Sequence, residues 1–293
     1  MKIINFILAL CVTLFAHNFE LDFNKGAVEN VKQLSAIDKF ELNLTTKSPV
    51  LGLDYQNGEF LIATKDLELL TLDENLKKEK SYLKNTKDWI IQFEDGVSAA
   101  YFKDSIGIMS YNKTYAFFKH DTNKSKEEIN LAWRYLLKGY ENFTLDFKDR
   151  YYTIRAKQQY ILSWDYSDFY KEFFIATVPD DIKEYWSIAS FSEEDNMLSS
   201  EFIPTFGENL KIKDQRNLND YYITGMDANG EFVYLLSIQY SSILKLDSRT
   251  RTIVDVYVFK DVKDATALAI KDGIFYIASR ESGKNFIYTF KAE

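Results

Sequence analysis

Aspartate is the residue in this chain whose type and spacing best suit chemistry. Asp54, Asp146 and Asp227 each stand shortly before a predicted tight turn, in segments that resemble one another. Equivalent residues of a repeat meet around a common axis when the repeats close into a ring, and carboxylate oxygens are ligands that calcium prefers. A repeated aspartate beside a turn usually caps backbone N–H groups, so the sequence predicts no metal site here. A metal site formed by these three residues is the alternative interpretation.

Other catalytic constellations find little support in the sequence. The chain has two histidines, His17 and His120, and one cysteine, Cys11. Two isolated histidines do not build a zinc centre or a Ser-His-Asp arrangement, and no strand-to-helix glycine fingerprint for phosphate occurs. The sequence therefore predicts no cofactor and a protein that is not an enzyme.

Two further kinds of site rest on single residues. Trp133 and Trp186 lie beside charged, irregular sequence and are candidates for exposed anchors of a partner. Asn43 and Asn123 belong to Asn-x-Ser/Thr sequons with an acidic residue two positions earlier. This arrangement resembles the extended acceptor of bacterial periplasmic N-glycosylation, so both are candidates for modification.

The elements that must position these residues are predicted to be strands. Aromatic residues make up 16% of the chain, in short runs separated by pairs such as Asn-Gly and Asp-Gly that suit tight hairpins. The segment 52–60 is repeated at 225–232 and, more weakly, at 145–152. The predicted turn centres lie near residues 57, 95, 149, 194, 229 and 272.

Their mean spacing is about forty-three residues, which is typical of a four-stranded propeller blade. The sequence therefore predicts an all-β, WD40-like β-propeller of about six four-stranded blades, or seven, with a two-sheet β-sandwich as the alternative. A strand at 40–44 would complete the last blade, and 123–140 would be an inserted helix or an outer strand.

The first sixteen residues are predicted to form a removable signal peptide. Met1-Lys2 is positively charged, Ile3 to Phe15 is largely apolar, and Ala16 offers a small residue before a polar segment. Thirteen residues span about 20 Å as a helix, short of the roughly 30 Å that a membrane anchor needs. We expect cleavage after Ala16, which removes the cysteine and leaves one domain at 17–293.

The net charge of the chain excludes some classes of binding partner. Its formal net charge is −8, with a pI near 5.1. An acidic protein lacks the basic face that nucleic acid or an anionic membrane surface requires. We therefore expect a periplasmic protein with a protein partner, without nucleic acid and without a membrane span after signal removal.

The repeats, the signal peptide and the composition together resemble the WD40-like periplasmic propellers of epsilonproteobacteria. Within this family, size and layout are similar to the NapL-type accessory proteins of periplasmic nitrate reductase, although Trp164-Asp165 is the one Trp-Asp signature. The resemblance implies a non-catalytic helper that supports assembly of, or electron delivery to, nitrate reductase. The alternative is a calcium-dependent six-bladed hydrolase of the lactonase or phosphoesterase type.

Overall fold

The computed structural model describes residues 26–44, 46–77, 79–83, 95–111, 114–119, 131–135, 161–177, 186–192, 198–213 and 218–292. The predicted signal peptide, His120, Asn123 and Asp146 lie outside these ranges. No helix within the described ranges has the length and apolarity needed to cross a bilayer.

The described chain consists almost entirely of strands, as its aromatic and β-branched runs predict. A single 3-10 turn, Leu218–Asp220, is the helical element within these ranges. The strands are β1 (Lys32–Glu41), β2 (Val50–Gln56), β3 (Glu59–Thr64), β4 (Leu69–Asp73), β5 (Glu79–Leu83), β6 (Gly96–Phe102), β7 (Ser105–Ser110), β8 (Thr114–Lys119), β9 (Leu131–Tyr135), β10 (Ile161–Ser167), β11 (Glu172–Thr177), β12 (Ile188–Phe191), β13 (Leu198–Phe202), β14 (Thr205–Phe206), β15 (Ile223–Asn229), β16 (Phe232–Ser237), β17 (Ser242–Asp247), β18 (Thr252–Val258), β19 (Ala265–Lys271), β20 (Ile274–Glu281) and β21 (Lys284–Ala292).

These strands form antiparallel four-stranded blades around a ring, which confirms the predicted propeller. Blade 1 is β2–β5, blade 2 is β6–β9, blade 3 is β10–β13 and blade 4 is β15–β18. Blade 5 combines β19–β21 with β1. The innermost strands contact one another in the cyclic order β2, β6, β10, β15, β19 and back to β2, so the ring is closed.

The amino-terminal strand β1 closes the ring, in the role that the sequence assigned to the segment at 40–44. β1 pairs antiparallel with β21 from Leu34↔Ala292 to Glu41↔Phe286. Its first residues also pair parallel with β18, at Lys32↔Tyr257 and Gln33↔Val258. The beginning and the end of the described chain therefore share one blade, which protects its edge.

The number of blades is where the structure differs from the turn spacing. The described residues supply five blades, whereas the spacing predicted six or seven. The turns at 57–58, 229–230 and 272–273 each join the first two strands of a blade, but Asp95-Gly96 begins β6 instead of closing a hairpin. The corresponding turn of blade 2 is Lys103-Asp104, where Lys103 has φ 55°. Because Asp95-Gly96 was counted together with true hairpin turns, the turn spacing came out shorter than the length of one blade.

The hydrophobic core lies between neighbouring blades, where apolar side chains of adjacent sheets pack face to face. The layer between blades 2 and 3 is rich in aromatic rings, including Tyr115, Phe117, Trp164, Phe173 and Phe191, all buried. The segment 123–140, interpreted as a helix or an outer strand, contributes the outer strand β9. The blades thus hold the innermost strands, which line the axis, in fixed positions.

Close packing of the inner strands gives the first prediction. A Cβ added at Gly52 would lie 2.4 Å from the backbone N of Ala99, whereas one at Gly225 would lie 3.0 Å from the nearest atom of Ala267. Because backbone cannot move as a flexible side chain does, we expect Gly52→Ala to lower the free energy of unfolding by about 3 kcal/mol and Gly225→Ala by about 1 kcal/mol or less. Urea unfolding of the two variants measures this difference, and equal losses would contradict it.

Candidate functional site

Three aspartates occupy the same position in three innermost strands. Asp54 of β2, Asp165 of β10 and Asp227 of β15 are each the fifth residue of a seven-residue strand with a bulge near its start. The fifth residues of the other two innermost strands, β6 and β19, are Ala100 and Ala269. Since innermost strands surround the axis, the shared position brings the three carboxylates together and the alanines leave room between them.

Each carboxylate accepts a hydrogen bond from a backbone N–H group of the next blade and one further hydrogen bond within its own blade. Asp54 accepts from the N–H of Tyr55 at 2.6 Å and from that of Tyr101, in blade 2, at 2.6 Å. Asp165 accepts from Tyr166 at 2.8 Å and from Ala228, in blade 4, at 2.6 Å. The aspartates therefore link successive blades. The capping interpretation of the sequence placed the bonded N–H groups in the turn beside each aspartate, whereas those of Tyr101 and Ala228 belong to the next blade.

Asp227 continues this pattern into blade 5. It accepts from the N–H of Ile270 at 2.8 Å, and the side chain of Asn229 also donates to it. These bonds fix the direction of each carboxylate, and the second lone pairs of the oxygens remain available for a ligand near the axis.

The three carboxylates are unusually close for acidic groups. One oxygen from each of Asp54, Asp165 and Asp227 lies within 4.8 Å of the other two. Asp165 and Asp227 are each 4% exposed, and Asp54 is partly exposed. Burial raises the pKa of Asp54 to about 6. Burial first, and then the charges of the neighbouring carboxylates, raise the pKa of Asp165 and Asp227 well above the ordinary range.

The cluster lies at the base of a pocket of about 210 Å³ that opens at the axis. We call this pocket the axial mouth; it is lined by the three aspartates and also by Tyr55, Gln56, Tyr101, Tyr166, Asp168, Phe169, Ala228, Asn229, Gly230 and Ile270. Phe169 stands at its rim with 57% of its surface exposed. The axial mouth therefore combines buried negative charge with an accessible aromatic rim.

Sequence reasoning found two members of this cluster and missed the third. Asp165, which the sequence analysis named only as part of the Trp164-Asp165 pair, lies on the innermost strand β10. The signal that could have revealed this was the near identity of β3, Glu-Phe-Leu-Ile-Ala-Thr, and β11, Glu-Phe-Phe-Ile-Ala-Thr. Because both are second strands of a blade, the preceding strands, with Asp54 and Asp165, are equivalent.

Asp73 and Asp247, the last residues of β4 and β17, have a different role. Asp73 accepts from the N–H groups of Asn75 and Lys77, and Asp247 from those of Arg249 and Thr250. These two residues therefore cap turns. Asp146, which the alternative interpretation of the sequence grouped with Asp54 and Asp227 as metal ligands, lies outside the described residues.

The candidate surface residues have different outcomes. Trp186, predicted to be an exposed anchor, is 3% exposed, and its indole N–H donates to the carbonyl of Leu218 at 2.7 Å. It packs among buried apolar residues that include Ile188 and Leu218, which corrects the prediction. Trp133 lies in β9, whose side chains are not described, and the acceptor residue Asn43 is exposed in the loop after β1. Asn123 lies outside the described residues.

The geometry of the axial cluster suits a small cation. Three buried carboxylates this close do not all ionise unless positive charge is supplied. Calcium holds oxygen ligands at about 2.4 Å, so no two of its ligands are more than about 4.8 Å apart. An ammonium group with three donors places its acceptors at about 2.8 Å, which sets them about 4.6 Å apart. The cluster fits both kinds of cation.

Comparisons with known proteins identify the fold alone. No protein-family model matches the chain, and no curated protein matches it. Among solved structures, Myxococcus xanthus glutaminyl cyclase superposes with a TM-score of 0.56 at 9% identity, over 92% of this chain and 100% of the other. The Cps50 (Swd1) β-propeller domain of Myceliophteria thermophila gives 0.48 at 8% identity, covering 83% and 84% of the two chains.

A nidogen/laminin complex gives a TM-score of 0.46 at 9% identity, over 80% of this chain and 73% of the other. The glutaminyl cyclase match, which spans nearly the whole chain, agrees with the closed ring of blades. On its topology and on this likeness, the chain is a β-propeller.

Proposed function

We propose that this chain is a non-catalytic binding propeller that holds a cationic group of a protein partner in its axial mouth. The observation that carries the proposal is the convergence of Asp54, Asp165 and Asp227 at the base of an open pocket. A lysine side chain is long and thin enough to enter about 210 Å³, and its ammonium offers one donor to each carboxylate.

The rim supports a protein ligand in preference to a bare ion. Phe169, Tyr55 and Tyr166 lie at the axial mouth, and aromatic faces attract the methylene stem and the charge of a lysine. Buried aromatic and charged anchors usually carry most of the binding energy of an interface. Phe169 is exposed on one side, so a partner that covers it would gain apolar contact as well as the charge pairing.

A calcium ion is the second candidate for the axial mouth. It is favoured by one specific observation, that one oxygen of each carboxylate lies within 4.8 Å of the other two, which is close enough for all three to reach one ion. Water molecules would have to complete the six to eight ligands. This candidate retains the calcium-dependent hydrolase as an activity, which would be lost on addition of a chelator.

Titration calorimetry on chelator-treated protein separates these possibilities. With tetralysine as the probe, we expect binding that Asp165→Asn weakens about tenfold or more, because one of three charge-assisted hydrogen bonds is lost. The matched control is Asp261→Asn, which makes the same change of net charge at an exposed residue remote from the axial mouth. Tight calcium binding that excludes tetralysine would favour the second candidate, and equal losses in both variants would reject a specific axial site.

The identity of the partner is proposed from the sequence resemblance. An exported protein of this kind would meet a component of periplasmic nitrate reductase, which it would assist in assembly or electron delivery. Co-purification of the tagged chain with that enzyme from periplasm, compared for the wild type and Asp165→Asn, tests this partner. Loss of the complex in the variant is the expected result, and absence of the complex in the wild type would remove nitrate reductase as the partner.

A further inference from the structure

A second cavity lies at blade 4 on the face opposite the axial mouth. It is bordered by the turn between β16 and β17 and by the carboxyl end of β18, whereas Asp227 lies beside the turn between β15 and β16. Alternate turns of an antiparallel blade lie on opposite faces. We call this space of about 520 Å³ the rear cavity; it is lined by Gly26, Val28, Val31, Gln33, Lys213, Tyr221, Tyr240, Ser241, Ser242, Val256, Val258, Phe259, Lys260 and Asp261.

Most of the wall of the rear cavity is apolar. Four valines and Phe259 contribute to it, and Tyr221 and Tyr240 stack edge to face with ring centroids 4.8 Å apart. The volume falls in the range of small-molecule sites, and predominantly apolar walls with a few polar groups are their usual composition. The cavity can therefore accept the hydrocarbon part of a ligand.

Two buried hydroxyl groups in this wall have hydrogen-bonding capacity to spare. Ser242 is 2% exposed, and its Oγ has no partner among the residues described. Tyr221 is 1% exposed; its hydroxyl oxygen accepts the N–H of Ala27 at 2.9 Å, which leaves its proton to be donated. A buried polar group without a partner is costly, so an occupant with acceptor atoms would relieve it.

The charges around the rear cavity have the sign that an acceptor-rich ligand requires. Lys213 and Lys260 both line it, and neither has an ion-pair partner within the described part of the chain. Asp261 lies beside Lys260, so these three side chains carry a net charge of one positive unit. This charge contrasts with the negative total of the protein and favours an anionic head group.

We propose that the rear cavity binds a small carboxylic acid with an apolar body. The carboxylate would accept hydrogen bonds from Ser242 and Tyr221 and face the two lysines, while the hydrocarbon packs on the valines and Phe259. A carboxylate offers a separate oxygen to each donor and a negative charge to the lysines, whereas an alcohol has a single neutral oxygen and an alkane has none. This site is independent of the axial mouth.

The test compares octanoate with octanol by titration calorimetry on the full chain. Octanoate is expected to bind at least about tenfold more tightly than octanol, and Ser242→Ala and Lys213→Gln are each expected to weaken octanoate by about threefold or more. Gln33→Trp places a large ring at an exposed residue of the cavity rim and should abolish binding while leaving the fold intact.

Asp165→Asn, in the axial mouth, serves as the control and should leave octanoate binding unchanged. Equal affinity for octanol and octanoate would overturn the carboxylate assignment. Octanoate binding that persists in Gln33→Trp would overturn the location of the site. Lys213 and Gln33 are at least partly exposed, whereas Ser242 and Asp165 are buried, so a circular dichroism melt confirms that each variant is folded before titration.

Discussion

Replacing Asp54 with asparagine is expected to stabilise the protein more at neutral than at acidic pH, in the absence of a bound cation. The pKa of Asp54 is raised from 3.8 to about 6 by burial. The folded state therefore retains the proton over a range in which the unfolded chain has lost it, and stability falls as the pH rises through this window. The full effect of a shift of about two units is about 3 kcal/mol.

Between about pH 4.5 and pH 7.5 this linkage amounts to about 2 kcal/mol, because the unfolded carboxyl is already partly ionised at the lower pH. Urea unfolding of the wild type and of Asp54→Asn at both pH values measures it. The hydrogen bond that asparagine fails to accept is lost equally at both pH values, so it cancels in the comparison. A stability difference between the two proteins that does not change with pH would contradict the raised pKa.

A bound cation provides the matched control for this result. Positive charge at the axial mouth lowers the pKa of all three aspartates, so a saturating ligand should flatten the pH dependence of the wild type. The same ligand should have little effect on the pH dependence of stability in a variant with asparagine at positions 54, 165 and 227. A ligand that flattens the pH dependence of stability equally in both proteins would have to act outside the axial mouth.

The sequence predicted the fold well because the relevant signals are local. Asn57-Gly58 and Asp272-Gly273 have positive φ at both positions, as a tight hairpin requires. The aromatic-rich runs between such turns indicated the strands. Asp54 and Asp227 were also found locally, since each stands just before a turn of this type.

The third aspartate and the number of blades depend on longer connections. Asp165 is followed by a turn at 168–171 that lacks the Asn-Gly pair, so its equivalence to Asp54 is not visible from turn chemistry. The Asp95-Gly96 pair imitates a hairpin, yet its backbone passes between blades, where the Gly96 N–H donates to the carbonyl of Lys65 at 3.0 Å. The equivalence of Asp165 to Asp54 and the number of blades both depend on how the strands pair with one another, which no single turn specifies.

The largest expected loss of stability belongs to Trp164, the residue next to Asp165 on β10. Its indole is fully buried and stacks on Phe173, with ring centroids 4.8 Å apart and planes 10° apart. Trp164→Ala removes this ring from the layer between blades 2 and 3 and leaves a cavity, so the free energy of unfolding should fall by about 3 to 5 kcal/mol. Denaturant unfolding measures the loss, and a change below about 1 kcal/mol would contradict it.

Trp164→Phe should cost less than Trp164→Ala, because the aromatic stacking is retained. The indole N–H has no hydrogen-bond partner among the residues described, so phenylalanine loses no buried hydrogen bond. A loss equal to that of alanine would show that the indole N–H makes an interaction that the stacking geometry does not explain.

A double substitution at Gly107 and Trp164 tests whether the indole limits the space at Gly107. A Cβ at Gly107 would lie 2.7 Å from Cζ2 of Trp164, so Gly107→Ala should be destabilising in the wild type. In Trp164→Ala the indole is gone and Cε1 of Phe117, at 3.0 Å, still borders the space, so the added methyl group should cost much less than in the wild type. A double-mutant cycle with a coupling of about 1 kcal/mol or more is therefore expected. Additive effects would mean that Gly107 is required by its own backbone and not by the indole that it accommodates.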